Sequence, residues 1–301
     1  MDISLKNRVA VITGAGGGLG RAYALELAGR GARVVVNDFA GSSEEMSRPA
    51  LEVVEEIKTA GGEAVADFNS VTAEESAARI VDTALQHYGK VDILINNAGV
   101  LRDRSFSRMT ASEFDEVLKV HLYGTFYVTK AVFPCMKKIQ YGRIVLTTSI
   151  TGLYGNFGQV NYASAKLGLV GFMNSLKEEG ARDNILINTV SPAAATQAAA
   201  AVYPPSLSQR FNPAYVAPLV AYLCSDKCEE GGQIITAGGG YYTKVQVVEG
   251  KGVFFEDETV TAEMIAAKFG AILDMGEVDV FSSAFAALKK MFTFHSPGKP
   301  E

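Results

Sequence analysis

The sequence predicts an α/β protein built on a doubly wound, seven-stranded parallel sheet flanked by helices, with a C-terminal helical extension. Three observations carry the prediction. A short apolar run, Val9-Ala10-Val11-Ile12, feeds into a glycine-rich turn, Thr13-Gly14-Ala15-Gly16-Gly17-Gly18-Leu19-Gly20. Apolar runs of strand length then alternate with longer helix-like stretches to about residue 240. The runs are apolar on both faces, as in strands covered by helices on each side.

The elements follow in order. Residues 9–12 read as a buried strand and 19–29 as a helix, with Tyr23, Leu25 and Leu27 near alanines. Val34-Val35-Val36 is the second strand, which completes a strand–turn–helix–strand unit. Helices are expected at 44–60, 73–88, 112–138, 157–182 and 213–223, and strands at 64–68, 91–95, 143–148, 185–190 and 233–236. Seven strands separated by helices make a doubly wound sheet. The run 198–201 reads as a helix that ends in a loop at Tyr203-Pro204-Pro205.

The sheet should close near Gly240, dividing the chain into 1–240 and 241–301. The second part alternates weakly over 241–255. It then reads as helices at 263–273 and 280–292, the first capped by Thr259 or Thr261. Its core is too small to stand alone, so it is expected to pack on the main domain or on a second subunit. Residues 296–301 are expected to form a loose tail.

Composition sets limits. The 301 residues are 48% apolar and 20% charged, with a net charge of −5, an ordinary globular balance with no basic stripe for nucleic acid. Cys135, Cys224 and Cys228 lack the companions of a disulfide framework or a zinc site, and no metal is expected. There is no secretory leader and no apolar run long enough to span a membrane, so the expected location is cytoplasmic.

One half of the chain reads as a dinucleotide site. Glycines after a strand let the backbone turn tightly and approach a pyrophosphate, whose charge meets a helix N-terminus. Gly14, Gly18, Leu19 and Gly20 hold those places. Asp38 follows the second strand, where a carboxylate accepts hydrogen bonds from both ribose hydroxyls and repels a 2′-phosphate; NAD is therefore expected over NADP. Asn97, Ala98 and Gly99 after the fourth strand are placed beside the adenosine, with Asn69 and Ser70 after the third bordering the adenine. The whole is a Rossmann-like arrangement.

The other half reads as proton-transfer chemistry. Tyr162 and Lys166 at i and i+4 share a helix face, where an ammonium lowers the cost of a phenolate. Ser149 ends the fifth strand, at the carboxyl edge where ligands of such sheets bind, and its hydroxyl can hold an oxygen moving between alcohol and ketone.

The combination of Thr13 to Gly20, Asn96-Asn97-Ala98-Gly99, Ser149 and Tyr162-Ala163-Ser164-Ala165-Lys166 resembles the short-chain dehydrogenase/reductase family over residues 7 to about 240. The resemblance implies that Tyr162 is the general base or acid. It implies further that Lys166 orients the nicotinamide ribose and perturbs Tyr162, and that Ser149 polarises the substrate oxygen. Two positions depart from the pattern. His121, in Val120-His121-Leu122-Tyr123-Gly124, takes the slot where the family often has an asparagine that holds a water near the lysine. It reads either as a proton relay or as a hydrogen-bonded core histidine. Pro192-Ala193 replaces the Pro-Gly that many relatives carry beside the nicotinamide.

Longer stretches narrow the resemblance. Gly18 to Leu25, Val35 to Asp38, Leu101 to Phe106, Tyr154 to Gln159 and Tyr215 to Val220 are similar to the (3R)-hydroxyacyl-CoA dehydrogenase domains of multifunctional members. This implies an acyl-CoA substrate, with a 17β-hydroxysteroid, or a steroid side-chain thioester, as the alternative. The acyl chain is expected by the 194–210 loop, with Arg102, Arg104 and Lys244 as candidate partners for CoA phosphates. The ending Lys299-Pro300-Glu301 is no peroxisomal Ser-Lys-Leu signal, which favours a stand-alone cytosolic enzyme. Family habit implies a homodimer, then a homotetramer, through the helices at 112–138 and 157–182.

Overall fold

Apolar, β-branched runs too short for helices become strands, and the turns after them carry the polar residues. The computed structural model describes residues 2–39, 44–196, 205–256 and 259–295. In chain order the first unit contains β1 (Val9–Thr13), α1 (Gly18–Gly29), β2 (Arg33–Asn37), α2 (Glu44–Thr59), β3 (Glu63–Asp67), α3 (Glu74–Tyr88), β4 (Ile93–Asn96), α4 (Ala111–Leu118), α5 (Gly124–Ile139), β5 (Gly142–Thr147), α6 (Ile150–Tyr154), α7 (Val160–Gly180), β6 (Ile185–Pro192), α8 (Pro205–Ser208), α9 (Ala217–Leu223), β7 (Ile234–Gly238) and β8 (Tyr241–Val245).

The strand order is β3-β2-β1-β4-β5-β6-β7-β8. The first seven pair in parallel, and β1, β4 and β5 are buried along their whole length. The order reverses between β1 and β4, which opens a crevice at their carboxyl ends. Gly14, Asn97 and the residues after β5 all lie along that edge.

Four details differ from the sequence reading. The sheet gains an eighth strand, because Gly239 and Gly240, at φ 59° and 85°, turn the chain from β7 straight into β8. Two consecutive positive φ values suit a two-residue hairpin, and the alternation in 241–255 was the only hint of it. The helix expected over 112–138 contains a π-helical segment, Lys119–Tyr123, between α4 and α5, with His121 at its middle. The helix expected at 157–182 begins only at Val160, and Ser149 caps a short α6 that periodicity did not reveal. The alanine run at 198–201, residues 197–204 of the expected acyl-chain loop and the tail 296–301 lie outside the described residues.

A division by contacts places Met1–Lys244 in one unit and Val245–Glu301 in another. The second unit holds β9 (Glu249–Gly250), α10 (Ala262–Ile272), β10 (Val278–Asp279) and α11 (Ala284–His295), with β9 and β10 paired antiparallel. Thr261 is the cap of α10, its hydroxyl accepting from the Met264 N–H at 3.4 Å. Phe254 and Phe294 stack at 4.9 Å, and Lys251 and Lys290 both pair with Asp279.

Candidate active site

The glycine turn is shaped by its neighbours. Gly14 is held at φ 63°, and a side chain at Gly20 would run into the Gly14 carbonyl and the Asn97 amide. Thr13 ties this turn to β4: its hydroxyl accepts from the N–H groups of Asn97 (3.0 Å) and Ala98 (3.1 Å). The Asn97 side chain donates back to the carbonyls of Thr13 (3.2 Å) and Gly14 (3.0 Å). The N-terminus of α1 has no side-chain cap, and its Gly17 leaves open space. This bare helix end beside a close-packed glycine cradle fits a dinucleotide pyrophosphate.

Asp38 sits just past β2 and accepts from the Gly16 N–H at 2.8 Å. Burial raises its carboxyl above the usual range, against the N–H groups of Gly16 and Phe39 that favour the ionised form. Next along the sheet edge, Asp67 accepts from the side chains of Asn37 (2.7 Å), Asn69 (2.9 Å) and Thr83 (2.7 Å). Asn69 is thereby fixed, while the Ser70 hydroxyl bonds to Thr72 at 2.8 Å. Pro192 ends β6 half-buried.

The residues expected to carry proton transfer lie on the other side of the crevice. Lys166, 3% exposed, donates to the Thr147 carbonyl at 2.5 Å, and the Thr148 hydroxyl donates to the Lys166 carbonyl at 2.6 Å. Its Nζ is 5.6 Å from the centre of the Tyr162 ring. The Ser149 hydroxyl neighbours that of Tyr162 and favours its ionised form, and Ser149 Oγ accepts from the Thr151 N–H at 3.1 Å. Burial lowers Lys166 to about 7 and raises Tyr162. In Tyr162 the neighbouring Ser149 hydroxyl opposes burial, and the Asp103 carboxylate adds to it. The expectation that the lysine eases the phenolate therefore meets a counter-effect: burial disfavours both charges, and a lysine near neutrality carries less of its own.

His121 stands edge-on to Tyr162, ring centres 5.2 Å apart at 90°. Its Nε2 faces both the carbonyl (2.9 Å) and the N–H (3.1 Å) of Val100 and can serve one at a time. Its Nδ1 is buried and, among the described residues, has no hydrogen-bond partner. Burial, aided by Lys166, lowers the imidazole to about 3, so the ring is neutral.

A family model described as short chain dehydrogenase matches residues 8–204. The peroxisomal multifunctional enzyme type 2 of Drosophila melanogaster is 48% identical over 276 residues, 90% of this chain and 46% of that one. A short-chain type dehydrogenase/reductase of Mycobacterium tuberculosis is 46% identical over 90% of this chain and 96% of its own. The chain belongs to the short-chain dehydrogenase family. The full-length Drosophila enzyme's structure superposes with a TM-score of 0.83 at 40% identity, covering 97% of this chain and 50% of that one. A 7α-hydroxysteroid dehydrogenase solved with NADH and 7-oxo glycochenodeoxycholic acid superposes at 0.72 and 31% identity, covering 79% of this chain and 95% of its own. This short-chain dehydrogenase is thus an NAD-dependent oxidoreductase, closely related to the (3R)-hydroxyacyl-CoA dehydrogenase domain of the type 2 multifunctional enzymes. It spans about half the length of the Drosophila enzyme.

The same comparisons correct the cytoplasmic expectation. Relatives at 43% to 49% identity carry peroxisomal names. The ending Lys299-Pro300-Glu301 is no counterweight in a chain that spans only part of them.

The sheet edge of this short-chain dehydrogenase gathers Gly14, Gly18, Gly20, Asp38, Asn97, Ala98 and Gly99 on one side and His121, Ser149, Tyr162 and Lys166 on the other. Two of the cations offered to CoA phosphates are already paired, Arg102 with Glu116 and Arg104 with Glu113 at 2.8 Å; Lys244 is exposed on β8. Sequence reasoning missed Thr13 and Asp67 as ties. Thr13 directly precedes the glycines, and Asp67 ends its strand much as Asp38 follows β2, so both left a positional signal. It also missed Asn161, fully buried, whose side chain donates to the carbonyls of Arg102 (3.0 Å) and Glu113 (3.2 Å) and accepts from the Tyr162 N–H (2.8 Å). Nothing local in the sequence marks that role.

Proposed function

We propose that this chain interconverts a (3R)-hydroxyacyl-CoA and the 3-ketoacyl-CoA, with Ser149, Tyr162, Lys166 and His121 as its working groups. The observation that carries the reading is the Ser149–Tyr162 hydroxyl pair beside the buried Lys166, in a chain 43% to 49% identical to the multifunctional enzymes. NAD held by the glycine turn and Asp38 would supply the acceptor for the hydride that leaves the carbinol carbon. Tyr162 takes the hydroxyl proton, and Ser149 holds the substrate oxygen through the change from alcohol to ketone. Lys166 holds the ribose side of the cofactor and supplies positive charge near the phenol. His121 Nδ1, buried and without a hydrogen-bond partner among the described residues, is suited to hold a water that passes the proton onward. Asp38, which accepts from Gly16 through one carboxylate oxygen, is assigned to the ribose hydroxyls.

The hydroxysteroid reading has one observation in its favour, the 31% likeness to the NADH-bound steroid enzyme. The higher identity to the multifunctional enzymes over more of the chain favours the thioester. The apolar groove between α5 and α7, lined by Leu122, Phe126, Phe133, Phe172 and Leu176, supports a homodimer as the working form.

The deciding experiment is a panel of (3R)- and (3S)-hydroxyacyl-CoAs and 17β-hydroxysteroids followed by NADH absorbance. The expected result is turnover of the (3R) thioesters. Turnover of steroids with neither thioester would replace this substrate and leave the proton-transfer groups standing. Tyr162→Phe tests those groups: turnover should be lost with NADH binding near normal, and full activity would remove Tyr162 from the mechanism.

A further inference from the structure

Three consecutive residues of the loop after β4 are fastened to the start of α7. The Arg102 carbonyl accepts from the Asn161 side-chain N–H at 3.0 Å. The Asp103 carboxylate accepts from the Gln159 side-chain N–H at 2.6 Å. The Arg104 N–H donates to the Gly158 carbonyl at 2.8 Å. The two arginine side chains reach α4 instead: Arg102 is forked onto Glu116, and Arg104 pairs with Glu113. Loop, α4 and the first turn of α7 thus form one hydrogen-bonded corner.

Asn161 is the buried centre of that corner, with no exposed surface. Its side-chain N–H groups donate to the carbonyls of Arg102 and Glu113, 59 and 48 positions away in the chain. Its side-chain oxygen accepts from the Tyr162 N–H at 2.8 Å. The partners fix the direction of the amide. Two carbonyls need donors and one N–H needs an acceptor, so the reversed amide would set like against like at all three. The bond to Tyr162 also answers a need of the helix. First-turn N–H groups have no partner within a helix, and Gln159, at the N-cap of α7, makes no side-chain cap bond. Asn161 therefore satisfies the backbone N–H of the residue that carries the phenol, and does so with a side chain anchored outside α7.

We propose that Asn161 is a positioning residue for Tyr162: it ties the backbone of Tyr162 to the loop after β4 and to α4, and so sets the place of the phenol against its neighbours in the site. The inference rests on the reading of Tyr162 as the proton-transfer group. Those neighbours are held from elsewhere. Ser149 follows β5, and His121, edge-on to the Tyr162 ring at 5.2 Å, comes from the π-helical segment. Lys166 shares α7 with Tyr162, but its Nζ is bonded to the Thr147 carbonyl at the end of β5. A shift at the start of α7 moves the phenol against all three and leaves the glycine turn in place. Misplacing a reacting group by about 1 Å can cost about a hundredfold in rate, so turnover is the quantity that should suffer.

The test uses the full chain, NADH and the ketone product of whichever alcohol the wild type oxidises, so it does not depend on the choice between thioester and steroid. Asn161→Asp keeps the shape and the acceptor for the Tyr162 N–H, but sets an oxygen against two carbonyls. At about pH 8 its kcat for ketone reduction, counted per NADH-binding site, should fall by about ten- to a hundredfold, with NADH affinity close to that of the wild type. Toward about pH 5 the introduced carboxyl takes up a proton and again donates to one carbonyl, so the deficit should shrink. Arg102, Asp103, Arg104, Glu113 and Glu116, the charged groups of the corner, are common to both proteins, so the ratio of variant to wild type isolates that carboxyl. Asn161→Ser, whose hydroxyl can replace only part of the three bonds, gives a second measurement if the carboxylate blocks folding: kcat per NADH-binding site should again fall. Wild-type kcat per site in the folded variant would overturn the proposal. So would a deficit in Asn161→Asp that is the same at both pH values, or a loss of turnover matched by an equal loss of NADH affinity, since Asn161 would then act on the fold at large. These failures concern Asn161 only, whereas full activity of Tyr162→Phe would strike the functional reading itself.

Discussion

Replacing Lys166 by methionine should make the protein more stable in mild acid, and the gain should fade as pH rises. The side chain is 3% exposed, and burial brings its pKa from 10.5 down to about 7. Between those values the unfolded chain holds a proton that the native chain does not, so native stability rises with pH across that window. Below about 7 the penalty for the buried charge is present in full; at about 1.4 kcal/mol per pH unit it amounts to about 5 kcal/mol at most. Methionine fills a similar volume without the charge. It also leaves the Thr147 carbonyl without its 2.5 Å donor, a cost of about 1–2 kcal/mol that does not depend on pH. The pH-dependent part isolates the charge: from about pH 6.5 to 9.5 the wild type should gain roughly 3 kcal/mol on Lys166→Met. Urea unfolding of both proteins across that range measures it, and parallel stability curves would refute the reasoning. The more stable variant should bind NADH poorly, as expected where a binding group is kept at the expense of stability.

Three further outcomes follow from the same geometry. The wild type should prefer NAD to NADP by at least tenfold, about 1.4 kcal/mol, and Asp38→Ala should bring steady-state rates with the two cofactors near parity; equal use by the wild type would defeat the assignment of Asp38. His121, lowered from 6.5 to about 3, withholds a proton that the unfolded chain takes up in acid, so stability falls as pH drops below 6.5. His121→Asn should therefore lose roughly 2 kcal/mol less than wild type between pH 7 and 5 in chemical denaturation, and an equal loss would mean that the imidazole is not held neutral. Thr13→Val should strand the N–H groups of Asn97 and Ala98, costing about 1–3 kcal/mol in urea unfolding and weakening NADH binding; wild-type values for both would show that the tie is dispensable.

Much of the site was readable along the chain because its chemistry is carried by local spacing. Gly14 to Gly20 form one turn, Tyr162 and Lys166 one helix face, and Asp38 the end of one strand. A periodicity of two or of 3.6 residues is a local property, so strands and helices were legible to within a few residues. Where the sequence misled, a distant or special contact decided. The π-helical segment that turns His121 toward Tyr162 has no periodic signature, and β8 depends on two glycines with positive φ.

The sequence by itself determined the parallel sheet and the glycine turn, and it singled out the proposed proton-transfer groups, since each follows from residues within one turn, strand or helix. The charge states and the alignment of those groups were decided only by the tertiary structure. Burial removes the water that would solvate an ammonium, an imidazolium or a phenolate. It is produced by elements far apart in the chain closing over Lys166, His121 and Tyr162. The ties that hold the start of α7, from Gln159 to Asp103 and from Asn161 to Arg102 and Glu113, likewise join residues more than 40 positions apart, and no local pattern encodes such a pairing.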